Sequence, residues 1–372
     1  MARPAALAAL WFTCASGHAQ PCSVPVDLAA PLKAAIAGSV VSLGALHPDT
    51  CAPWALQDVW RGGKLIFSDS PEEPAAPGIL YRDGTLLSTT HGEANRVFVY
   101  HTNGGATGRL RFSVLLTNRG SRAGRLTVVR HGTAGPSQDY LNTGKLAFER
   151  WLRSSAETPV PVAAGATVRL DTSFDAILAK HADLVHGIWD YTFDGPHEIA
   201  ICALAEGGDP IANCAHLPVL AKDIHQRGTF PHADKRFAGR TVLPGAFVMG
   251  GNTPQDPNAQ GVDRTDGSTV SLAGNYGVLY RMRLDPGGSE SPNVALLIQP
   301  LGGAWGGAAM TTAGSGPGTI LLLPDATAAV ESAAHAVVAG TFTLPGRQRI
   351  QVEWLPTGGS SFPVRLIAVP YR

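Results

Sequence analysis

The chain reads as an all-β protein, built as two antiparallel β-sandwich domains with one helical insertion in the first. Three observations carry that reading. Glycine (43) and proline (28) interrupt the chain too often to leave room for long helices. From Lys64 onward, short runs of β-branched and aromatic residues alternate with polar ones at the period of two that a half-buried strand requires. The length of 372 residues suits two domains of ordinary size, each able to bury its own core.

The chain opens with Arg3, a short apolar run from Ala5 to Ala15, and small residues at Gly17 and Ala19 before Gln20. This is the pattern of a secretory signal peptide spanning 1–19, and its apolar run is too short to cross a bilayer. A lipoprotein signal needs a small residue before Cys14, and Thr13 fits that poorly. Cleavage after Ala19 leaves Cys22, Cys51, Cys202 and Cys214, an even set in an exported chain, which predicts disulfides. The local pairing, Cys22–Cys51 with Cys202–Cys214, encloses two segments with Pro or Gly turn signals. Each bridge is worth on the order of 3 kcal/mol by loop entropy. No Cys-x-x-Cys pair argues for a thiolate metal site.

Residues 20–60 read as a lead-in, with a short Ala-rich helix near Leu28–Ala37 and a turn at Cys51–Trp54. The first sandwich is expected over 61–218. Alternating runs at Arg96–Tyr100, Arg109–Leu116 and Arg125–Val129, separated by Asn/Gly turns, predict a three-stranded meander. Ser137–Arg153 breaks the rhythm. Ser137 is placed to cap a helix whose apolar face carries Tyr140, Leu141, Leu146, Phe148, Trp151 and Leu152. Strands resume at Ala166–Leu170, His186–Thr192 and Glu198–Ala203, the last two joined by Asp194-Gly-Pro196 as an expected hairpin. The polar stretch 219–245 lacks a periodic core pattern and predicts a linker. The second sandwich, 246–372, has runs at Gly277–Leu284, Asn293–Ile298, Thr319–Leu323, Val337–Leu344, Arg349–Trp354 and Pro363–Val369. The glycine-rich segments 302–307 and 314–318 read as loops, because neither links a strand to a helix as a phosphate cradle would.

Charge and hydropathy narrow the partners. Lys+Arg and Asp+Glu cancel at 29 each, against a nucleic-acid or anionic-membrane footprint. After residue 19 no run of about 18 apolar residues predicts a transmembrane segment.

Arg227-Gly-Thr-Phe230 followed by Gly274-Asn-Tyr-Gly-Val278 resembles the second half of an uncharacterised family of exported bacterial β-rich proteins. In the first half the matching positions are Val97–His101 and Leu115–Gly120. The resemblance covers roughly residues 65–300 and departs where glycine loops follow residue 300. It implies an exported, strand-rich protein and supplies no activity.

Among candidate sites, Asp223-x-His225 and His232-x-Asp234 place two imidazoles and two carboxylates within twelve residues, a donor set suited to Zn²⁺. The plainer reading is a solvated linker whose acids and histidines cap turns and pair with Arg227, Lys235 and Arg236. Asp256-x-Asn258-x-Gln260-Gly261, followed by Asp263 and Asp266, resembles the start of a Ca²⁺ loop, but Gly267 stands where the bidentate Glu belongs. A polar surface loop is the better reading. Trp60, Trp189, Tyr191, Trp305 and Trp354 offer rings for stacking on sugars, against the usual burial of such residues. Trp305, flanked by Gly302, Gly303, Gly306 and Gly307, stands out as the ligand-binding candidate, with Trp189 and Tyr191 sharing one strand face. Nucleophile elbows, His-Glu-x-x-His and phosphate loops are absent from the sequence. His101, His131, His186 and His197 would form a catalytic cluster only if strands brought them together.

The expectation is an exported non-catalytic protein that binds glycan or another cell-envelope component. The alternatives are a metal-dependent hydrolase using His225 and His232 at the domain junction, and a structural cell-surface component.

Overall fold

The computed structural model describes residues 25–89, 92–286, 293–344 and 348–371. The segment 1–19, read as a signal peptide, and Cys22 lie outside the described residues. The fold is all-β in the main, with four sheets and few helices.

An eight-stranded sheet runs in the order Thr269–Leu272, Ala259–Val262, Arg227–Phe230, Leu65–Ser68, Asn95–Thr102, Leu184–Phe193, Gly124–Ser137, Val160–Val162. A four-stranded sheet of Thr167–Arg169, Leu110–Asn118, His197–Ala205 and Gly78–Leu87 packs on one of its faces. Val97, Val99, Trp189 and Tyr191 from the larger sheet meet Tyr81, Phe112, Val114 and Ile201 from the smaller in one buried cluster.

The second half contributes two six-stranded sheets. The inner one holds Thr319–Leu323, Gly307–Ala313, Ile350–Trp354, Leu279–Asp285, Asp234–Arg240 and Gln57–Arg61. The outer one holds Val40–Ser42, His335–Thr343, Asn293–Pro300, Val364–Pro370, Gly245–Met249 and Ala52–Pro53. The nearly unbroken apolar run of Asn293–Pro300 follows from cover on both faces. Val294, Leu296 and Ile298 face the large central cluster, while Ala295 and Leu297 pack with Leu28 and Leu32 of the helix Val26–Ala34.

The expected strand segments form, but their pairing differs from the sequence reading in two places. The three strands read as a meander do not pair with one another: Asn95–Thr102 and Gly124–Ser137 both flank Leu184–Phe193, and Leu110–Asn118 lies in the other sheet. The strands either side of Asp194-Gly-Pro196 likewise belong to different sheets, so that turn is a crossing between layers and not a hairpin. Nine of the ten residues of Leu184–Phe193 are buried, which a two-stranded ribbon could not provide.

The helix Tyr140–Arg153 is capped by Asp139, which accepts from the Asn142 amide at 3.1 Å, while Ser137 ends the preceding strand and receives the Asp139 amide at 3.0 Å. Its Phe148, Trp151 and Leu152 enter the central cluster. Cys202 and Cys214 form the expected disulfide, with Cα atoms 6.0 Å apart. Cys51 is also disulfide-bonded.

The segments read as lead-in and linker are woven into the sheets. Gln57–Arg61 pairs with Asp234–Arg240, and Arg227–Phe230 pairs with Leu65–Ser68. The polar look of 219–245 misleads because three of its charges, Arg227, Asp234 and Lys235, are buried and paired inside the protein, while Lys222, Asp223, Arg236 and Arg240 stay at the surface. The central cluster runs from Phe98, Tyr100 and Trp151 through Phe237 and Tyr280 to Trp354 and Leu366, so the two halves share a core.

Candidate functional site

The residues singled out in the sequence go mostly to structural work. Trp305 is 1% exposed and Trp189 and Tyr191 are fully buried, so none of the three can stack on a ligand. The glycines around Trp305 bring backbone close to it and do not open it to solvent. A Cβ on Gly302 would lie 2.1 Å from the Phe362 carbonyl oxygen, and one on Gly306 2.2 Å from that of Ala328. Trp305 exchanges two backbone hydrogen bonds with Val330, at 2.9 and 2.8 Å. Trp354 is likewise buried.

The Asp/His constellation is split. Asp234 is drawn inward to Arg96 (3.2 Å) and Arg281 (3.1 Å). His232 is exposed beside Trp60, and Asp223 and His225 lie together at a different cavity. The Ca²⁺-like segment is also divided. Asp256 pairs with the buried Lys235 ammonium at 2.9 Å, and Asp263 pairs with Arg227 at 3.0 Å. Asp266 meets Lys222 at 2.7 Å, and the strands Ala259–Val262 and Thr269–Leu272 replace the single loop that Ca²⁺ would need. Among the described residues, no group of three His, Cys, Asp or Glu side chains is placed to hold a metal.

The four histidines do not meet. His101 contacts the Ser68 hydroxyl (2.9 Å) and the Pro71 carbonyl (2.8 Å), His186 the Val99 carbonyl (2.6 Å), and His197 the Tyr191 hydroxyl (2.9 Å). His131 faces Glu157 at 3.2 Å. Burial pushes His101 down to about 3 and His186 to about 4, so both are neutral packing groups.

Both short motifs are structural ties. The Arg227 guanidinium reaches Asp263, the carbonyls of Ser70, Leu80 and Leu220, and the Thr265 hydroxyl. Asn275 adopts φ +52° and accepts the Ala259 amide at 2.8 Å, while donating to the Tyr280 hydroxyl at 2.9 Å.

Among the described residues, one accessible cleft of 370 Å³ has a lining that includes Trp60, Phe230, His232, Asn252, Asn258 and Gln260. Trp60 comes from the strand Gln57–Arg61, and Phe230 from Arg227–Phe230 of the neighbouring sheet. Trp60 is half-buried, with the Lys235 ammonium 4.8 Å from its ring centroid. That cation is itself held by Asp256 and Asp58, which fixes the indole from beneath. Asn252 is locked at φ +50° and accepts the Asn258 amide at 3.1 Å. The Asn258 side-chain oxygen is buried without a hydrogen-bond partner. Such an acceptor costs about 1–3 kcal/mol unless a ligand or water donates to it.

A second cavity of 310 Å³ shares Phe230, Pro231 and Gln260 with this cleft and continues to Lys64 and Arg264. The two form one surface groove with an aromatic end, an amide-lined middle and a cationic end. Trp60 is one of several aromatics in the sequence and has no local signal to prefer it, since the cleft's other walls come from residues about 170–200 positions away in the chain.

Fold and groove together define a mostly-β protein with an aromatic, amide-lined surface cleft and structural use of its other candidate residues. No family model matches the chain, and no curated protein matches it. Among the described residues, no helix is long and apolar enough to cross a membrane.

Proposed function

We propose that the protein is an exported binding protein whose Trp60 groove takes up carbohydrate of the envelope or extracellular space. The observation that carries this reading is the half-buried indole of Trp60, held by Lys235 at the end of a groove whose polar groups are mainly amides. A sugar ring presents a CH face to an aromatic plane and hydroxyls around its rim. Asn252, Asn258 and Gln260 can donate to and accept from hydroxyls, and the unpartnered Asn258 oxygen calls for a donor. Lys64 and Arg264 at the far end favour a glycan that carries acidic groups, such as a uronate. Export is supported by the Arg3–Ala19 leader pattern together with the Cys202–Cys214 bridge, which persists in an oxidising compartment.

The test is calorimetric titration of the full chain with soluble neutral and uronate-containing polysaccharides. The expected result is binding of the acidic class, weakened at least about tenfold in Trp60→Ala, a loss of about 1.4 kcal/mol or more. Unchanged binding in Trp60→Ala, or heat from no polysaccharide, overturns the reading.

A further inference from the structure

A cavity of 380 Å³ lies where the two halves meet, with Asp69, Glu72, Phe98, Tyr100, Tyr140 and Tyr276 in its wall. It is separate from the Trp60 groove, and nothing in the glycan reading uses it. We propose that this cavity is a binding site for a ligand bearing an organic ammonium group, held by the Asp69 carboxylate among tyrosine rings.

The other buried carboxylates of this protein have partners. Asp190 and Asp234 share Arg96, Asp256 has Lys235, and Asp263 has Arg227. Asp175 faces Arg169 at 3.2 Å, and Asp83 accepts from the hydroxyls of Thr85 and Thr229 at 2.6 Å each. Asp69 has neither kind of partner. Its Oδ1 is buried without a hydrogen-bond partner, and it lines the cavity. Burial holds its carboxyl well above the usual range, and the negative neighbours Glu72 and Asp223 push it further in the same direction. Burial also raises Glu72, against the pull of His225.

The one cationic candidate in the wall is already committed. The His225 ring meets Glu72 at 2.6 Å through Nε2 and Asp223 at 3.1 Å through Nδ1. Burial pushes Asp223 up too, but the Glu72 amide, the His225 ring and amide and the Ser70 hydroxyl outweigh it and hold that carboxyl below its ordinary value. Two of the three carboxyls therefore share the one imidazole, and Asp69 has no share in it. An anion gains nothing from such a cavity and a neutral ligand leaves Asp69 to hold a proton, whereas a cation can take that proton's place and pair with the ionised carboxylate.

The aromatic residues select the kind of cation. Tyr140 and Tyr276 donate their hydroxyls to the carbonyls of Ala182 (2.9 Å) and Ser360 (2.7 Å), so they offer the cavity ring surface in place of donors. Ring surface around a carboxylate suits an alkylated ammonium, whose methylenes pack on the rings while its charge gains both the carboxylate and the ring quadrupoles. A small, strongly hydrated inorganic cation gains little from such walls.

The test uses the purified full chain, titrated at low salt with n-butylammonium and tetramethylammonium, and with n-butanol as the uncharged counterpart. Both cations are expected to bind with Kd below ~10 mM, and n-butanol at least about tenfold more weakly. Asp69→Asn is expected to weaken cation binding at least about tenfold while folding at least as well as the parent, since it replaces a carboxyl whose ionisation burial disfavours by a neutral group of the same shape. Glu72→Gln gives the same direction of effect and serves if Asp69→Asn fails to fold. Affinity should fall from about pH 8 to about pH 5, as protons compete for Asp69 and Glu72. His225, Asp223, Glu73 and the three tyrosines also face this region, so Asp69→Asn must flatten the pH dependence for Asp69 to be its source. The proposal is overturned if neither cation binds, if n-butanol binds equally, or if Asp69→Asn and Glu72→Gln both leave affinity unchanged. Because Trp60 does not line this cavity, Trp60→Ala should leave ammonium binding intact.

Discussion

Replacing Arg96 by Met tests whether a buried charge network ties the two halves together. The Arg96 side chain is 2% exposed. It donates to both Asp190 oxygens (2.7 and 3.0 Å), to Asp234 (3.2 Å), and to the carbonyls of Ala233 (2.7 Å) and Gly277 (3.1 Å). Asp190 belongs to the first half of the chain, and the other three partners to the second. The guanidinium also lies 5.0 Å from the Trp151 ring centroid. Met fills similar volume but leaves Asp190 without its cation, whereas Asp234 keeps Arg281 at 3.1 Å. One orphaned buried carboxylate costs about 3–5 kcal/mol, a large part of the ~5–15 kcal/mol that usually separates folded from unfolded.

The sign of the pH effect adds a second check on this variant. Burial pushes the Asp190 carboxyl up against the pull of Arg96. Without the arginine that rise grows, so the folded variant binds a proton more readily than its unfolded chain. Lowering the pH then favours the folded state, and the deficit against the parent should shrink from pH 7.5 to pH 5.5. Urea unfolding followed by tryptophan fluorescence measures both quantities. A loss under about 1 kcal/mol, or a deficit that widens on acidification, would refute the reasoning.

Two further outcomes follow from burial. Trp305→Ala should destabilise the fold by about 3–5 kcal/mol in the same urea assay and leave glycan binding untouched; a neutral effect on stability would mean the indole is not packed as described. His101 is neutral when folded, because burial pushes it down to about 3, yet its unfolded form takes up a proton below about 6.5. Its stabilisation is present above about pH 6.5 and lost as pH falls, by up to about 1.4 kcal/mol per pH unit. His101→Gln should therefore lose less stability than the parent between pH 6 and pH 4, and parallel curves for the two would contradict this.

How far the sequence could be read depends on the range of the forces involved. Strand positions were legible because alternation is local: Asn293–Ile298 and Thr319–Leu323 fall where their apolar runs lie. The amphipathic helix ending at Arg153 showed in its apolar spacing, although Asp139 and not Ser137 caps it. The Cys202–Cys214 bridge followed from thiol count and short separation.

An all-β chain, the places of its strands and one of its bridges are legible from local pattern, since these rest on residues close together in the chain. The tertiary structure decided which sheet each strand joins, because pairing partners are chosen by distant surfaces that must be covered. It also drew part of the polar stretch 219–245 into the core, since Arg227, Asp234 and Lys235 are stable inside only once Asp263, Arg96 and Asp256 arrive from elsewhere. By the same logic Trp305 is buried by the backbone its glycines admit, and the Trp60 groove exists only where strands remote in sequence meet. Local pattern records what a segment prefers, and burial is settled by what the rest of the chain brings to it.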